Sequence, residues 1–474
     1  MKNRSFLVIL SILVCVIAYC LIFQRDLTIS SNSEEQPFVA KEVSPGSKSS
    51  YNLSLKMDKD EKVSVEAKID ITNISEEKWD RLVLYFIPNI FTKENSPSLD
   101  HPASVIIKDI KLNGATSNYS LEKDTLTLPL KSPLSQNHNI NVQINYDFTM
   151  PSEGLRFTKV GESLHLAQWY PMVPTYRNGW NKQEYQSRGE TYHTPFSDFQ
   201  LDLEVPPSYS IVSSSEEDDL LNNQGTKIKV KNEKEIFLAL LKDTLVFDKT
   251  TTINNVNVRV FSDKERADQA NEVLETAVKA LDYFQKEFGS YTDKEFDLIL
   301  GGLGMEYPNV VTVGSIYSSK PVDSDSLRRM VVHEVAHQWF YGMVSNDPYN
   351  DAWLDEGLAE IATLLYYVDD EEEDITFDFG DQFREELSLP VNLPINQYPN
   401  GNQSSYIYGK ASLGLGMLFK KYGGEETAKN FLKTYVKEYK YKEINTNEFV
   451  RFTKHYFNLE NNKDFEGWLD LNEE

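Results

Sequence analysis

The sequence predicts a multidomain α+β protein in which one apolar helix precedes an antiparallel β domain and then a mainly α-helical domain. Three observations support this prediction. An uninterrupted apolar run lies at Phe6–Phe23, hydrophobic residues alternate with period two from Tyr51 to about Asn255, and helical spacing replaces that alternation from Ser262. The 474 residues are enough for several domains, and a hydrophobic content of 40% is enough for their cores.

The charge balance and the cysteine content restrict the classes of partner. The formal net charge is −25, which repels nucleic acid and anionic membrane surfaces, so the body of the protein is expected to bind neither. An acidic surface favours solubility, and a basic substrate is the alternative. Both cysteines, Cys15 and Cys20, lie in the first apolar run, so no disulfide and no cysteine metal site is expected in the remaining chain.

The apolar run Phe6–Phe23 follows the basic residues Lys2 and Arg4. Its eighteen residues are at the lower limit for a membrane-spanning helix and exceed the core of a usual signal peptide. No small-x-small cleavage site follows, and a tyrosine before Cys20 fits lipoprotein cleavage poorly. We therefore predict an uncleaved anchor over residues 1–24, with a cytoplasmic N-terminus and the body outside the cell membrane. A cleaved signal peptide is the alternative.

Residues 25–50 predict a flexible stalk that joins the anchor to the first domain. The segment is rich in serine and glutamate, contains Pro37, Pro45 and Gly46, and has no hydrophobic period. Such a composition cannot bury enough apolar surface to offset the entropy lost on ordering.

The β domain is predicted over residues 51–255. Alternating apolar residues place one face of each strand in a core and the other toward solvent, as in antiparallel sheets. The clearest alternating runs, separated by turn residues, are Val63–Ile71, Leu82–Phe86, Ile140–Phe148 and Phe199–Val205.

The helical domain is predicted over residues 256–474. Its first helix has apolar residues at helical spacing from Val273 to Phe288, and Gly289 ends it. A short strand, Phe296–Leu300, then leads into a glycine-rich segment, and residues 405–468 predict several further helices.

A metal site is predicted at His333 and His337, which lie one turn apart on the same face of a helix. Two imidazoles at this spacing reach a single zinc ion, and Glu334 then faces the position left for a water. The alternative is a surface helix that carries this pattern by chance. The remaining histidines have no ligand spacing and are expected to be structural or exposed: His101, His138, His165, His193 and His455.

A third ligand is predicted at Glu356, nineteen positions after His337. The interval contains the turn residues Gly342, Asn346, Asp347 and Pro348, so a second helix can return beside the first. A carboxylate on that helix completes a catalytic His₂Glu site with one open position.

Three motifs in this order resemble the aminopeptidase N family of gluzincin metallopeptidases, peptidase family M1. His333–His337 followed by Trp353–Gly357 resembles the family's zinc motif, with Trp-Leu-Asp-Glu-Gly in place of the usual Trp-Leu-Asn-Glu-Gly. Gly304–Pro308 resembles the exopeptidase motif Gly-x-Met-Glu-Asn in the Gly-Met-Glu-Tyr-Pro form of many bacterial members. Tyr408–Ala411 resembles Tyr-Glu-Lys-Gly, which carries the family's catalytic tyrosine.

The likeness extends from about Tyr51 to the C-terminus and implies a saddle-like β domain followed by a thermolysin-like catalytic domain. It implies a short, bacterial-type, membrane-anchored member, because the chain ends at Glu474 and leaves no room for the family's large C-terminal helical domain. Gly409 and Ala411 replace the usual Glu and Gly. We therefore expect a more open active site than in longer members.

The resemblance implies a zinc-dependent aminopeptidase with one zinc ion on the three ligands named above. Glu334 is expected to act as general base toward the water. Tyr408 is expected to hydrogen-bond the carbonyl oxygen on which negative charge develops, and Tyr406 is the alternative two residues earlier.

Further residues are expected at the substrate. Glu306 is expected to bind the α-ammonium of a peptide, and Gly304 and Met305 lie on the same strand edge, along which a substrate backbone can pair. Gln168 is a candidate from the β domain for the same pocket. Glu360, one turn after the third ligand, either orients a zinc histidine or is solvated.

The predicted function is therefore hydrolysis of the N-terminal bond of peptides. One alternative is a zinc endopeptidase with an open cleft, which has the same metal chemistry and no use for a free amine. The other is an inactive surface-bound binding protein, which the presence of ligands, base and tyrosine disfavours. Peptides are the expected partners, together with the membrane through the anchor.

Overall fold

The computed structural model describes residues 37–152, 154–215, 224–242, 246–315, 322–370, 387–399 and 401–471. Contacts group the chain into two units, 1–40 and 41–474, and the second contains every described helix and strand. The predicted anchor lies outside the described residues and stays a prediction. Among the helices that the structure describes, none is both long and apolar enough to cross a bilayer.

The first part of the larger unit consists of β-sheets, as the period-two alternation predicts. The strands are β1 (Ser47–Met57), β2 (Val63–Asn73), β3 (Trp79–Tyr85), β4 (Val105–Leu112), β5 (Ala115–Thr116), β6 (Ser120–Glu122), β7 (Thr125–Leu134), β8 (Asn139–Phe148), β9 (Phe157–Val160), β10 (Ser163–Leu166), β11 (Ser197–Glu204), β12 (Tyr209–Ser213), β13 (Gln224–Glu233) and β14 (Leu238–Lys242). We call residues 47–242 the β-rich part.

The largest sheet has the spatial order β13-β11-β1-β2-β8-β4-β5, and smaller sheets have the orders β12-β14-β10-β9 and β3-β7-β6. Strand β1 alternates buried and more exposed residues along its whole length, so its apolar side chains all enter one core. The prediction of a wholly antiparallel domain is wrong in one pair, because β1 runs parallel to β11, with Ser50 opposite Asp198. Alternation reports which face is buried and does not report strand direction.

The predicted stalk extends too far toward the C-terminus. Strand β1 begins at Ser47, and the preceding residues already contact Glu443 and Glu448 near the other end of the chain. The amide of Lys41 donates to Oε1 of Glu448 at 2.8 Å, and the amide of Val43 donates to the carbonyl of Glu443 at 2.8 Å. Hydrogen bonds to a distant part of the chain hold these residues, and such bonds leave no hydrophobic period in the sequence.

The second part of the unit combines a small sheet with helices. Its strands are β15 (Val246–Ile253), β16 (Val256–Asp263), β17 (Glu295–Leu300), β18 (Val310–Val313), β19 (Val344–Ser345) and β20 (Lys442–Glu443). Its helices are α1 (Ala267–Phe288), α2 (Ser324–Ala336), α3 (Trp353–Asp370), α4 (Ala411–Lys421), α5 (Gly424–Tyr439) and α6 (Thr446–Phe457), with a π-helical turn at Ser405–Lys410 and 3₁₀ turns at Ile87–Phe91, Lys264–Arg266, Ile395–Gln397 and Lys463–Phe465. We call residues 246–471 the helical part.

The predicted boundary between residues 255 and 256 falls inside a hairpin and is corrected. Strands β15 and β16 pair antiparallel, and β16, β17 and β18 continue the same sheet in parallel. Strand β15 therefore belongs to the sheet of the helical part. The period-two pattern of β15 resembles that of the preceding strands, so the pattern by itself assigns β15 to the preceding β domain.

An apolar cluster joins the two parts. The rings of Phe237, from the β-rich part, and Tyr307, from the helical part, stack with centroids 4.2 Å apart. Both belong to a buried cluster that also contains Ala239, Phe261 and Met305. This contact holds the segment that carries Glu306 against the β-rich part.

A buried ionic network also joins the two parts. His193 lies with Nδ1 3.2 Å from Asp347 and Nε2 2.9 Å from Glu443, and Arg177 pairs with Glu443 as well. Burial by itself lowers the pKa of His193, but the two carboxylates outweigh it and raise the pKa to about 9. The ring is therefore charged at neutral pH, and His193 has the structural role predicted for it.

Helix α1 supports the helix that carries the metal motif. It ends where predicted, with the amide of Gly289, at φ +116°, donating to the carbonyl of Gln285 at 3.2 Å. Its aromatic side chains pack on the segment after α2, with the Phe284 ring 5.7 Å from Trp339 and the Phe288 ring 5.5 Å from Phe340.

Candidate active site

Helix α2 presents the two histidines. The side chain of its N-cap, Asp323, accepts a hydrogen bond from the amide of Ser326, which satisfies one of the free amides of the first turn. His333 and Glu334 lie in the last turn, and His337 is the C-cap, with its amide bonded to the carbonyl of His333 at 3.3 Å. The apolar flanks predicted for this helix are all fully buried: Val331, Val332, Val335 and Ala336.

Helix α3 returns alongside α2 and brings Glu356 to the histidines. The Nε2 atoms of His333 and His337 are 3.1 Å apart, and each lies 3.2 Å from Oε2 of Glu356. Nitrogen and oxygen ligands about 2.1 Å from a tetrahedral zinc ion are about 3.4 Å from one another. The three atoms therefore have the spacing of zinc ligands, and the predicted donor set fits the metal.

The outer nitrogens of both rings have partners that orient the inner ones. Nδ1 of His337 donates to the carbonyl of Phe340 at 3.0 Å, which leaves the Nε2 lone pair for a metal. Nδ1 of His333 lies 3.3 Å from Oε1 of Glu360, a charge contact without the alignment of a hydrogen bond. The other oxygen of Glu360 pairs with Arg329, so of the two predicted roles its position is that of an orienting carboxylate.

Glu334 is buried beside the ligands and lies close to the backbone of Gly304. A Cβ atom at Gly304 would lie 2.6 Å from Oε1 of Glu334, so only glycine permits this approach. Burial and then the charge of Glu306 raise the pKa of Glu334 well above its ordinary value. A carboxylate with a raised pKa is a stronger base, which suits proton abstraction from a water.

Tyr408 and not Tyr406 lies at the predicted metal ligands. The Tyr408 hydroxyl donates to Oε1 of Glu356, and its ring lies 5.7 Å from the ring of His333. Tyr406, two residues earlier, stacks on Tyr398 with centroids 4.9 Å apart.

Close packing between α3 and the π-helical turn determines this position. A Cβ atom at Gly357 would lie 3.6 Å from the carbonyl oxygen of Ile407 in the turn and 2.9 Å from Cβ of Ala411, the first residue of α4, so the segments approach more closely than larger residues allow. Lys410 stabilises the same turn, because its ammonium donates to the carbonyls of Leu387 and Leu389 at 2.9 and 2.6 Å.

The segment that carries Glu306 runs beside strand β18. Met305 and Thr312 exchange two backbone hydrogen bonds, of 3.1 and 3.0 Å, which fix one edge of the segment. Glu306 follows and is 7% exposed, and its charge interacts with those of His337, Glu356 and Arg156. Gly304, Met305 and Glu306 therefore lie beside the predicted metal ligands.

Gln168 lies in a buried network of the β-rich part. It has a left-handed backbone, with φ +49°, and its amide donates to Oε2 of Glu235 at 3.0 Å. The other oxygen of Glu235 accepts from the hydroxyls of Tyr192 and Tyr341, at 2.9 and 2.6 Å. Gln168 is therefore a member of a buried carboxylate network, and its contact with a substrate stays a prediction.

Three side chains of the β-rich part reach the site without any sequence motif. Nε of Arg156 lies 3.0 Å from Sδ of Met305, and its Nη2 lies 3.9 Å from Oε1 of Glu190. The Tyr192 hydroxyl donates to the same oxygen of Glu190 at 2.7 Å. The dipeptide Gly189–Glu190 is the one local sequence feature that could have indicated Glu190 as a site residue. A glycine before an acidic residue is too common to indicate a site.

Comparison with known proteins agrees with this geometry. Residues 272–468 match the peptidase family M1 domain. The chain is 27% identical over 277 residues to aminopeptidase M1 of Arabidopsis thaliana, an alignment that covers 53% of this chain and 31% of the relative. It is 27% identical over 215 residues to endoplasmic reticulum aminopeptidase 2 of Homo sapiens, covering 40% and 22% of the two chains. The chain thus spans less than half the length of these relatives.

Solved structures show the same fold. The M1 zinc metallopeptidase of Deinococcus radiodurans superposes with a TM-score of 0.63 at 16% identity, covering 93% of this chain and 96% of that chain. A mutant of that enzyme bound to the substrate Tyr-Ser-Ala superposes with a TM-score of 0.62, also at 16% identity, covering 92% of this chain and 96% of that one. The β-rich part, the helical part and the three convergent motifs agree with these comparisons: residues 272–468 match the peptidase family M1 domain, and the chain has the fold of the M1 zinc metallopeptidase structures.

Proposed function

We propose that this protein is a zinc-dependent aminopeptidase that hydrolyses the N-terminal peptide bond of peptides. The convergence of His333, His337 and Glu356 to within 3.2 Å carries the proposal, because it provides a site for one zinc ion. The match of residues 272–468 to the peptidase family M1 domain supports zinc, and the relatives named above are aminopeptidases.

The catalytic roles follow from position. His333, His337 and Glu356 would hold the zinc ion, which would supply a Lewis acid for a peptide carbonyl and for a water. Glu334 takes the proton of the attacking water and delivers it to the leaving amine. Tyr408 turns its hydroxyl from Glu356 to the carbonyl oxygen as negative charge develops there.

Glu306 selects substrates with a free N-terminus. An α-ammonium donates charge-assisted hydrogen bonds to a carboxylate, and these bonds are stronger than neutral ones. Holding the ammonium at Glu306 places the first peptide bond over the metal ligands, so that one residue is released in each cycle. An endopeptidase would not need this contact.

Replacing Glu306 with Ala is expected to lower kcat/KM for unblocked peptides by about 100-fold, because both binding and positioning are lost. N-acetylated peptides are expected to be poor substrates of the parent, and the substitution is expected to leave their rates unchanged. The measurement is a digest of paired free and acetylated peptides, with Glu162→Ala as an exposed control. Rapid internal cleavage of acetylated peptides by both proteins would favour the zinc endopeptidase instead.

We also propose the finer fold assignment that the resemblance implies. The β-rich part corresponds to the family's saddle-like domain, and the helical part to its thermolysin-like catalytic domain. The order of the two parts and the extent of the structural likeness support this assignment.

The location that we propose is the cell membrane, with residues 1–24 as a single-pass anchor and the catalytic body outside. The apolar run and the preceding basic residues support it. A protease added to intact cells is expected to release the body by cleavage between the anchor and β1, since that segment is polar. Immunoblotting of the medium measures this release, and complete protection of the chain until lysis would contradict the orientation.

A further inference from the structure

The segment that carries Glu306 continues directly into a tight turn. The amide of Val310 donates to the carbonyl of Tyr307 at 3.1 Å, so these two residues close a β-turn. Pro308 occupies the second position of the turn, and Asn309 occupies the third with a left-handed backbone, φ +63°. A type II turn favours these residues at these positions. Tyr307 and Asn309 are buried, so the backbone groups of the turn need partners inside the protein.

The side-chain amide of Gln338 provides two of these partners. Its Oε1 accepts from the backbone amide of Asn309 at 3.0 Å, and its Nε2 donates to the carbonyl of Tyr307 at 3.3 Å. We call these two hydrogen bonds the Gln338 bridge. Gln338 is 3% exposed, and without its side chain the buried N–H of Asn309 would lose its acceptor, which is unfavourable.

Gln338 lies at the end of the helix that carries the predicted metal ligands. It directly follows His337, the C-cap of α2, and its own amide donates to the carbonyl of Val335 at 3.1 Å. The indole of the next residue, Trp339, donates to the carbonyl of Gly289 at 2.9 Å, which fixes this end of the helix against α1. The bridge therefore joins the residue after Glu306 to the residue after a predicted metal ligand.

We propose that Gln338 is a positioning residue, which fixes the separation between Glu306 and the predicted metal ligands. The proposal rests on the aminopeptidase function, in which an N-terminus held at Glu306 places the first peptide bond over these ligands. The alignment depends on the separation, because a displacement of about 1 Å can lower a rate by about 100-fold. Gln338 therefore acts mainly on the rate, since Glu306 still binds an ammonium group when its segment has moved.

Other contacts hold the far side of the turn. The hydroxyl of Tyr291 donates to Oδ1 of Asn309, and Nδ2 of Asn309 donates to the carbonyl of Ser214 in the β-rich part at 3.3 Å. Neither contact involves α2. Replacing Gln338 is therefore expected to loosen the turn relative to α2 and to leave the turn folded.

Hydrogen–deuterium exchange tests the bridge without any turnover. The variant is Gln338→Met in the zinc-loaded full chain, which keeps the length of the side chain and removes both polar atoms. The amide of Asn309, measured in peptides that cover residues 306–313, is expected to exchange about 10-fold faster or more, because it loses its acceptor. Peptides that cover residues 331–337 are expected to keep their rates. Unchanged exchange over residues 306–313 would overturn the proposal.

Steady-state kinetics with one unblocked peptide tests the consequence for catalysis. Gln338→Met is expected to lower kcat by about 10- to 100-fold, to change KM by less than about 3-fold and to retain the zinc content of the parent. Gln338→Asn is a second variant, which shortens the side chain and keeps it polar, and the same changes are expected. A large rise in KM with an unchanged kcat in both variants would contradict a positioning role.

Gln285→Met is the matched control for both measurements. It makes the same chemical change in α1, where the side-chain nitrogen of Gln285 is buried without a hydrogen-bond partner among the residues that the structure describes. The substitution is therefore expected to leave the exchange of residues 306–313 and the turnover unchanged. An equal loss of turnover in this control would assign the effect to the substitution itself and overturn the proposal.

A double-mutant cycle separates action through Glu306 from a general effect on the fold. In the Glu306→Ala background, Gln338→Met is expected to change kcat/KM by less than about 2-fold, because the group that it positions is absent. A loss that adds in full to that of Glu306→Ala, or a loss of zinc, would assign Gln338 a structural role and overturn the proposal. Equal turnover of free and acetylated peptides by the parent would reject the proposed function, while the exchange measurement still decides whether Gln338 holds the segment.

Discussion

Glu334→Gln is expected to retain one zinc ion per chain and to lose at least about 100- to 10,000-fold in turnover, the usual contribution of a general base. The amide has almost the same volume as the carboxylate, so the packing against Gly304 remains possible. It cannot accept a proton from water, and the metal ligands His333, His337 and Glu356 are untouched.

Metal analysis and peptide turnover on the same preparation test this expectation. Glu265→Gln makes the identical chemical change at an exposed position, so it controls for the substitution itself. His337→Ala provides the opposite case, in which zinc and activity should disappear together. Full turnover by Glu334→Gln would show that another group accepts the proton.

Tyr408→Phe is expected to lower kcat by about 100- to 1,000-fold and to change KM little, because the hydroxyl acts on charge present only in the transition state. In the free protein this hydroxyl donates to Oε1 of Glu356, so it is already at the metal ligands. Phenylalanine keeps the ring beside His333 and removes the donor alone.

Tyr406→Phe is the matched control, because Tyr406 has the same side chain two residues away and stacks on Tyr398 instead. Kinetics of both variants with one unblocked peptide, together with their zinc content, decide the assignment. If Tyr406→Phe shows the loss and Tyr408→Phe does not, the catalytic tyrosine has been misassigned. A loss of zinc from Tyr408→Phe would place its effect on Glu356 rather than on the substrate.

The fold could be predicted from the sequence wherever a periodic pattern coincides with a core. Strand β1 and helix α1 are examples, since their apolar residues recur at two and about 3.6 positions and face buried surfaces. The parallel pairing of β1 with β11 and the membership of β15 in the second sheet could not be predicted, because periodicity does not name the neighbouring strand. The ordered conformation of residues 41–46 could not be predicted either, because it depends on hydrogen-bond partners about four hundred residues away along the chain.

The convergence of His333, Glu334, His337 and Glu356 was determined by the sequence itself. Two histidines one helical turn apart share a face whatever surrounds the helix, and a short turn brings the next helix back beside them. The motif at Tyr408–Ala411 favours Tyr408 over Tyr406, and the packing of α3 on the π-helical turn places the Tyr408 hydroxyl at Glu356.

The tertiary structure alone decided the other wall of the pocket. Arg156 and Glu190 come from separate loops of the β-rich part, and no spacing along the chain links them to Glu306. Their contacts arise when the apolar cluster around Phe237 and Tyr307 joins the two parts. Long-range contacts of this kind leave no periodic pattern in the sequence. Their geometry depends on how whole sheets and helices pack, and not on the identity of the contacting residues.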